Sequence, residues 1–157
     1  WKNFFEFTFI GNIPGNYIFK NVTHIKPLEG QKLAEKIKKH HIYLTASINE
    51  PGGMHHIEGA LCGLPILYRK SGSLPEYCRN FGVCFDGTED IVTSLRDISK
   101  DYNRLKKKMK YYNRTSEKMC SEYYDLFIKL QKNKVNLLKN RNLIKNPWLL
   151  FRNQIPI

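Results

Sequence analysis

The sequence predicts an α/β fold with a Rossmann-like parallel sheet covered by helices on both faces, followed by C-terminal helices. Three observations carry that expectation. Short β-rich apolar runs alternate with stretches of helical periodicity, the links between them are brief, and no internal repeat or low-complexity tract interrupts the order.

Taken in order, strands are expected over residues 4–10 and 22–25, a helix over 31–39, and a strand over 42–46. A helix over 54–62 follows, and Gly63 stands where a left-handed cap would stop it. Residues 65–68 then read as a buried strand. Ser73 with Glu76 three positions on has the form of a capping box, so Pro75 fits the first turn of a short helix over 74–79. A strand over 82–85 and a helix over 89–98 complete the alternation. From Asp101 onward the pattern is wholly helical, with Leu105, Met109, Tyr112, Met119, Tyr123, Leu126 and Leu130 as apolar positions and basic residues between them. Asn146-Pro147 should end the last helix and leave 148–157 as an aromatic and apolar tail. The expected division is a domain over 1–130 and a basic helical and aromatic tail over 131–157.

The 157 residues amount to about one domain, with 41% hydrophobic and 13% aromatic content, ordinary for a globular protein. No apolar run approaches the ~20 residues that span a bilayer, and Trp1-Lys2-Asn3-Phe4 is no signal peptide. The chain opens almost directly on a strand without an initiator Met, so it is expected to be a fragment of a longer protein. Four cysteines at 62, 78, 84 and 120 form no C-x-x-C pair, which favours free thiols in a reducing cytoplasm. The net charge of +12 is uneven: residues 1–99 hold 11 Lys/Arg against 10 Asp/Glu, and residues 100–157 hold 15 against 4. A nearly neutral front half argues against nucleic acid as its main ligand.

The residues richest in chemistry run from Asn49 to Leu67. Glu50 precedes a Gly52-Gly53 turn that lets backbone approach a ligand closely, and Met54 opens the helix whose first amides point outward. On a helical wheel Met54, Ile57 and Leu61 share a face, with Glu58 half-buried at its edge, at the C-terminal rim of the sheet where open α/β folds bind ligands. This pattern resembles the E-x7-E signature of retaining GT-B glycosyltransferases, particularly family 4. Glu50 and Glu58 match the two acids, Gly53 the glycine before the helix, Cys62-Gly63-Leu64-Pro65 the helix exit, and Gly72-Ser73-Leu74-Pro75-Glu76 the Gly-Gly-x-Pro-Glu turn. Pro51 and Gly52 stand where glycine and an aromatic are usual. The likeness covers roughly residues 4 to 130, through Phe7 to Pro14 and the Arg-x-x-Met-like helix of Asp101 to Met109.

That resemblance implies a donor-binding domain for a nucleotide-sugar, with an unknown glycan or lipid-linked acceptor. Glu50 is the expected catalytic acid facing the donor sugar. Gly52, Gly53 and Met54 would line the donor, Glu58 would receive the ribose hydroxyls, and Ser71 and Gly72 would meet the phosphates. A carboxylate suits a vicinal diol because it accepts two hydrogen bonds at once. The family's phosphate-binding Arg/Lys pair is absent, and Arg69-Lys70 do not match it. The resemblance implies no cofactor and no protein-bound metal, and a fragment that is inactive alone.

Other readings compete. His56-Ile57-Glu58 fits the H-x-E of zinc deaminases, but the Pro-Cys-x-x-Cys those enzymes need is missing. His40-His41 match no metal spacing. The run Lys106-Lys107-Lys108-x-Lys110 with Tyr111-Tyr112 could be a solvated helix face, a nucleic-acid patch, or, with 148–151, a peripheral contact with anionic lipid at the cytoplasmic membrane face. The alternatives to a transferase are a degenerate nucleotide-sugar-binding module without turnover and, more remotely, a basic nucleic-acid-binding domain.

Overall fold

The computed structural model describes residues 4–15 and 17–140. The tail expected over 148–157 and the helix stop at Asn146-Pro147 lie outside the described residues. The chain divides into two compact units, Trp1–Tyr112 and Asn113–Ile157.

In the first unit the expected alternation is present. Strands β1 (Phe7–Ile10) and β2 (Val22–Ile25) are followed by α1 (Gly30–Ile37), β3 (Tyr43–Thr45), α2 (His55–Leu61), β4 (Ile66–Arg69), α3 (Leu74–Cys78), β5 (Gly82–Phe85), α4 (Ile91–Lys100) and α5 (Tyr102–Lys108). All pairings are parallel, but the strands form two sheets, β1-β2 and β3-β4-β5. The single sheet expected from the sequence is thus divided, because among the described residues no strand joins β1 or β2 to β3.

Strand β4 is the middle of the larger sheet, and Ile66, Leu67 and Tyr68 are all buried, as a parallel strand covered on both faces must be. Its side chains alternate between two cores. Ile66 and Tyr68 meet Ile57 and Ala60 of α2, Leu74 and Cys78 of α3, and Met109 and Tyr112. Leu67 joins Phe85, Ile98 of α4 and Leu105 of α5 on the other face. At Gly82 a Cβ would collide with the Ile66 carbonyl, so only glycine lets β5 register against β4. Burying each of these aliphatic side chains is worth roughly 1.5–3 kcal/mol.

Helix is not continuous after Asp101. A 3-10 turn over Met109–Tyr111 ends at Tyr112, whose backbone is extended and whose ring packs edge-on against Phe81 at 4.9 Å. Burial of Tyr112 turns the chain out of the helix there. In the second unit Thr115 then caps α6 (Ser116–Lys132) by accepting from the Lys118 amide at 3.2 Å, and α7 (Lys134–Asn140) follows a break at Asn133. No residue of α6 is buried, and Met119, Tyr123, Leu126, Phe127 and Leu130 are exposed. Among the described residues no helix is long and apolar enough to cross a membrane.

Candidate functional site

The two loops singled out in the sequence are bonded to each other. After β3 the chain enters a turn in which Asn49 takes a left-handed conformation at φ 53°, one that asparagine tolerates better than most residues. The Asn49 amide donates to Ser71 Oγ at 2.8 Å, and Ser71 Oγ donates to Asn49 Oδ1 at 3.4 Å. One residue on, the Glu50 carbonyl accepts from both the amide and the hydroxyl of Ser73, at 2.9 and 3.0 Å. Gly72, at φ 55°, lies so close that a Cβ would strike the Glu50 backbone. Strand β4 ends beside β3 and delivers the second loop to the first.

The capping box is therefore not formed. Ser73 sits in helical backbone geometry, φ −80° and ψ −10°, instead of the extended geometry a side-chain cap needs, so its hydroxyl turns to Glu50. Sequence reasoning missed this bond; the Asn before Glu50, a left-handed turn residue, was its available signal.

Helix α2 also differs from expectation. His56, Ile57, Gly59 and Ala60 are its buried residues, while Met54 and Leu61 are 58% and 49% exposed and Glu58 is exposed instead of half-buried. The cause is Gly59: the Tyr43 ring occupies the space where a Cβ would stand, so helix and strand meet along that line and the Met54 side rotates outward. The exit of α2 is as expected. Gly63 has φ 85°, its amide donates to the Ala60 carbonyl at 2.8 Å, and the Leu64 amide donates to Gly59 at 3.2 Å, a Schellman cap. Lys106 Nζ from α5 donates to the Gly63 carbonyl at 2.8 Å.

His55 stands between the surroundings of the two acids. A Cβ on Gly53 would lie 2.9 Å from Glu50 Cδ and 3.2 Å from His55 Cδ2, so carboxylate, glycine and ring share one spot. On its other side His55 Nδ1 is 3.5 Å from the Tyr43 hydroxyl, and Nε2 is 3.4 Å from Ser47 Oγ. Burial first, then the charge of Glu58, pushes the Tyr43 phenol up to about 12. Glu50 is half-buried, and Gly52 has open space where a side chain would be, leaving backbone accessible as a close-approach turn requires.

His56 is wholly buried and packs edge-to-face on His55 at 5.3 Å and Tyr77 at 5.4 Å. Burial and His55 hold its imidazole below the usual range, partly opposed by Glu50. Among the described residues no group of three or more His, Cys, Asp or Glu is placed to hold a metal ion. All four cysteines are free, and burial pushes the Cys78 thiol up to about 12, leaving it an inert core residue. Of the lysine run, Lys106 is engaged at the end of α2 and Lys110 lies over the Tyr111 ring at 4.8 Å.

Residues 17–116 match the family model described as glycosyl transferases group 1, and the chain belongs to that family. Among solved structures it is similar to a sucrose-phosphate synthase from Thermosynechococcus elongatus, at 20% identity and a TM-score of 0.51. That likeness covers 69% of this chain and 31% of the synthase chain, and it supports a GT-B fold. No curated protein matches the sequence.

Proposed function

We propose, on the premise of membership in the group 1 glycosyl transferases, that this chain is the donor-binding part of a retaining, family 4 type enzyme. It takes a sugar from a nucleotide-sugar and passes it to a glycan or lipid-linked acceptor, with no resident metal or other cofactor. The observation that carries this reading is the double anchoring of the Glu50 carbonyl by Ser73. It gives the first acid of the E-x7-E pair a fixed backbone at the C-terminal end of β3, where α/β folds bind ligands.

Breaking the bond between sugar and diphosphate develops positive charge on the ring and negative charge on the leaving group. A preorganised carboxylate at Glu50 stabilises the first, and the Gly72 amide with those of the Gly52-Gly53 turn stabilises the second. Glu58, exposed on α2, is free to receive ribose hydroxyls. Met54, exposed beside it, lies against the base or ribose. The enzyme works in the cytoplasm, with the basic C-terminal part drawing it to an anionic membrane face. This chain alone binds nucleotide weakly and transfers no sugar, because transfer needs water excluded between donor and acceptor sites.

The test is donor turnover by the full-length protein and its Glu50→Ala variant. Loss of turnover with retained nucleotide binding supports the enzyme. Equal turnover in both removes Glu50 from the mechanism, and nucleotide binding without turnover in the wild type leaves a binding module.

A further inference from the structure

Two buried polar groups, one on β3 and one on α2, have no hydrogen-bond partner. His56 is 0% exposed and neither ring nitrogen is bonded; Thr45 is 3% exposed and its Oγ1 is unbonded. A buried polar group left unsatisfied destabilises the fold, so two of them need a reason.

They belong to one place. Tyr43 and Thr45 point to the same face of β3 because strand side chains alternate, and Tyr43 lies against Gly59 of α2. Thr45 is one pleat nearer the C-terminal end of the strand. It therefore faces the preceding turn of α2, the turn carrying His55 and His56. The His56 ring meets Tyr77 of α3 and His55 of its own helix, and the charge of Glu50 in the loop after β3 reaches it. Glu50 is the anion of that group, and its carboxyl already lies against Gly53 beside the His55 ring.

A neutral imidazole offers one donor and one acceptor. The neighbours supply the complement: a hydroxyl that can donate and a carboxylate that can accept. We propose that His56 is a positioning residue for Glu50: with donor bound, one ring N–H donates to the Glu50 carboxylate, and the other ring nitrogen accepts from the Thr45 hydroxyl. This rests on the reading of Glu50 as the acid facing the donor sugar. The Thr45 bond fixes the tautomer, and the imidazole bond holds the carboxylate in one rotamer, which electrostatic stabilisation of a transition state requires. Burial keeps His56 neutral for this task, in agreement with its lowered proton affinity.

The experiment uses full-length protein with UDP-glucose, GDP-mannose and ADP-glucose as donor probes. His56→Phe should melt at an equal or higher temperature than wild type, since it removes an unsatisfied buried group, yet lose about 10- to 100-fold in kcat with KM changed by no more than about twofold. His56→Gln, which keeps an N–H donor, should recover part of the loss, and Thr45→Val should reproduce a smaller one. Glu50→Ala with His56→Phe should be no slower than Glu50→Ala alone. In parallel, imidazole nitrogen NMR should show the His56 resonances shift in Glu50→Gln, with titration moved to lower pH because a stabilising negative charge is gone. A His56→Phe enzyme as fast as wild type, beside an inactive Glu50→Ala, overturns the inference and leaves the Glu50 reading intact. Additive losses, or His56 resonances indifferent to Glu50→Gln, also overturn it. Full turnover by Glu50→Ala overturns both. If His56→Phe does not fold, or no probe is turned over, the nitrogen shifts of wild type against Glu50→Gln decide alone.

Discussion

Ser73 closes both its amide and its hydroxyl on one acceptor, the carbonyl oxygen of Glu50, at 2.9 and 3.0 Å. Residues 23 positions apart thus form a single rigid turn. The two sequence motifs of the site are one object.

Ser73→Ala should remove one of these bonds and cost about 1 kcal/mol of stability, with the amide bond retained. Gly72→Ala should cost more, about 1–3 kcal/mol, because its Cβ meets the Glu50 backbone and its φ is positive. Urea denaturation of the two variants measures this order. Donor turnover should fall in both, further in Gly72→Ala.

Glu58→Gln should weaken nucleoside diphosphate binding by about 1 to 3 kcal/mol in calorimetry while leaving the melting temperature unchanged, as expected for an exposed acid that bonds the ligand. The same variant should move the ionisation of Tyr43 to lower pH in ultraviolet titration, since the charge of Glu58 helps, after burial, to hold the phenol up. Unchanged affinity returns Glu58 to the role of a surface acid.

Acid should destabilise this chain through His56. Its folded proton affinity is below the unfolded value, so the unfolded chain binds more protons in acid. The stability from keeping it neutral is complete above the ordinary imidazole range and is lost as pH falls below about 6.5, toward the folded value. Thermal melts of wild type against His56→Phe between about pH 7 and 5 should show a shallower fall in the variant.

Flotation should find this chain on anionic vesicles and not on neutral ones, with salt releasing it. Gln at Lys107, Lys108 and Lys110 should weaken binding by about 1 kcal/mol per side chain. Lys106 is left in place, because its ammonium caps α2 at Gly63. Binding indifferent to lipid charge removes the membrane from the reading.

The strands and helices of the first unit were legible because many carry their own local signal: the apolar run at Ile66-Leu67-Tyr68, the left-handed stop at Gly63, the proline at 75 in a first helical turn. Legible too was the pairing of the Glu50 and Gly72 segments as parts of one motif. What the sequence hid depends on tertiary approach. The rotation of α2 follows from Tyr43 seated on Gly59, and no helical wheel contains the strand that sits below it. The fate of the Ser73 hydroxyl follows from a backbone angle that its residue type does not set. The break at Tyr112 comes from a ring buried against Phe81, in a stretch whose periodicity alone reads as uninterrupted helix.

Leu105 completes one core, and Met109 and Tyr112 complete the other, so both faces of the larger sheet wait for a stretch that follows the last strand. During synthesis this gives the ribosome a late checkpoint. A nascent chain stalled with Leu105 still inside the exit tunnel has β1 to β5 outside yet neither core closed, and it should be cut readily by protease. Release of about ten further residues should confer resistance in one step, because domains fold as units on the ribosome. Gradual gain of resistance from Phe85 onward in stalled chains would contradict that timing.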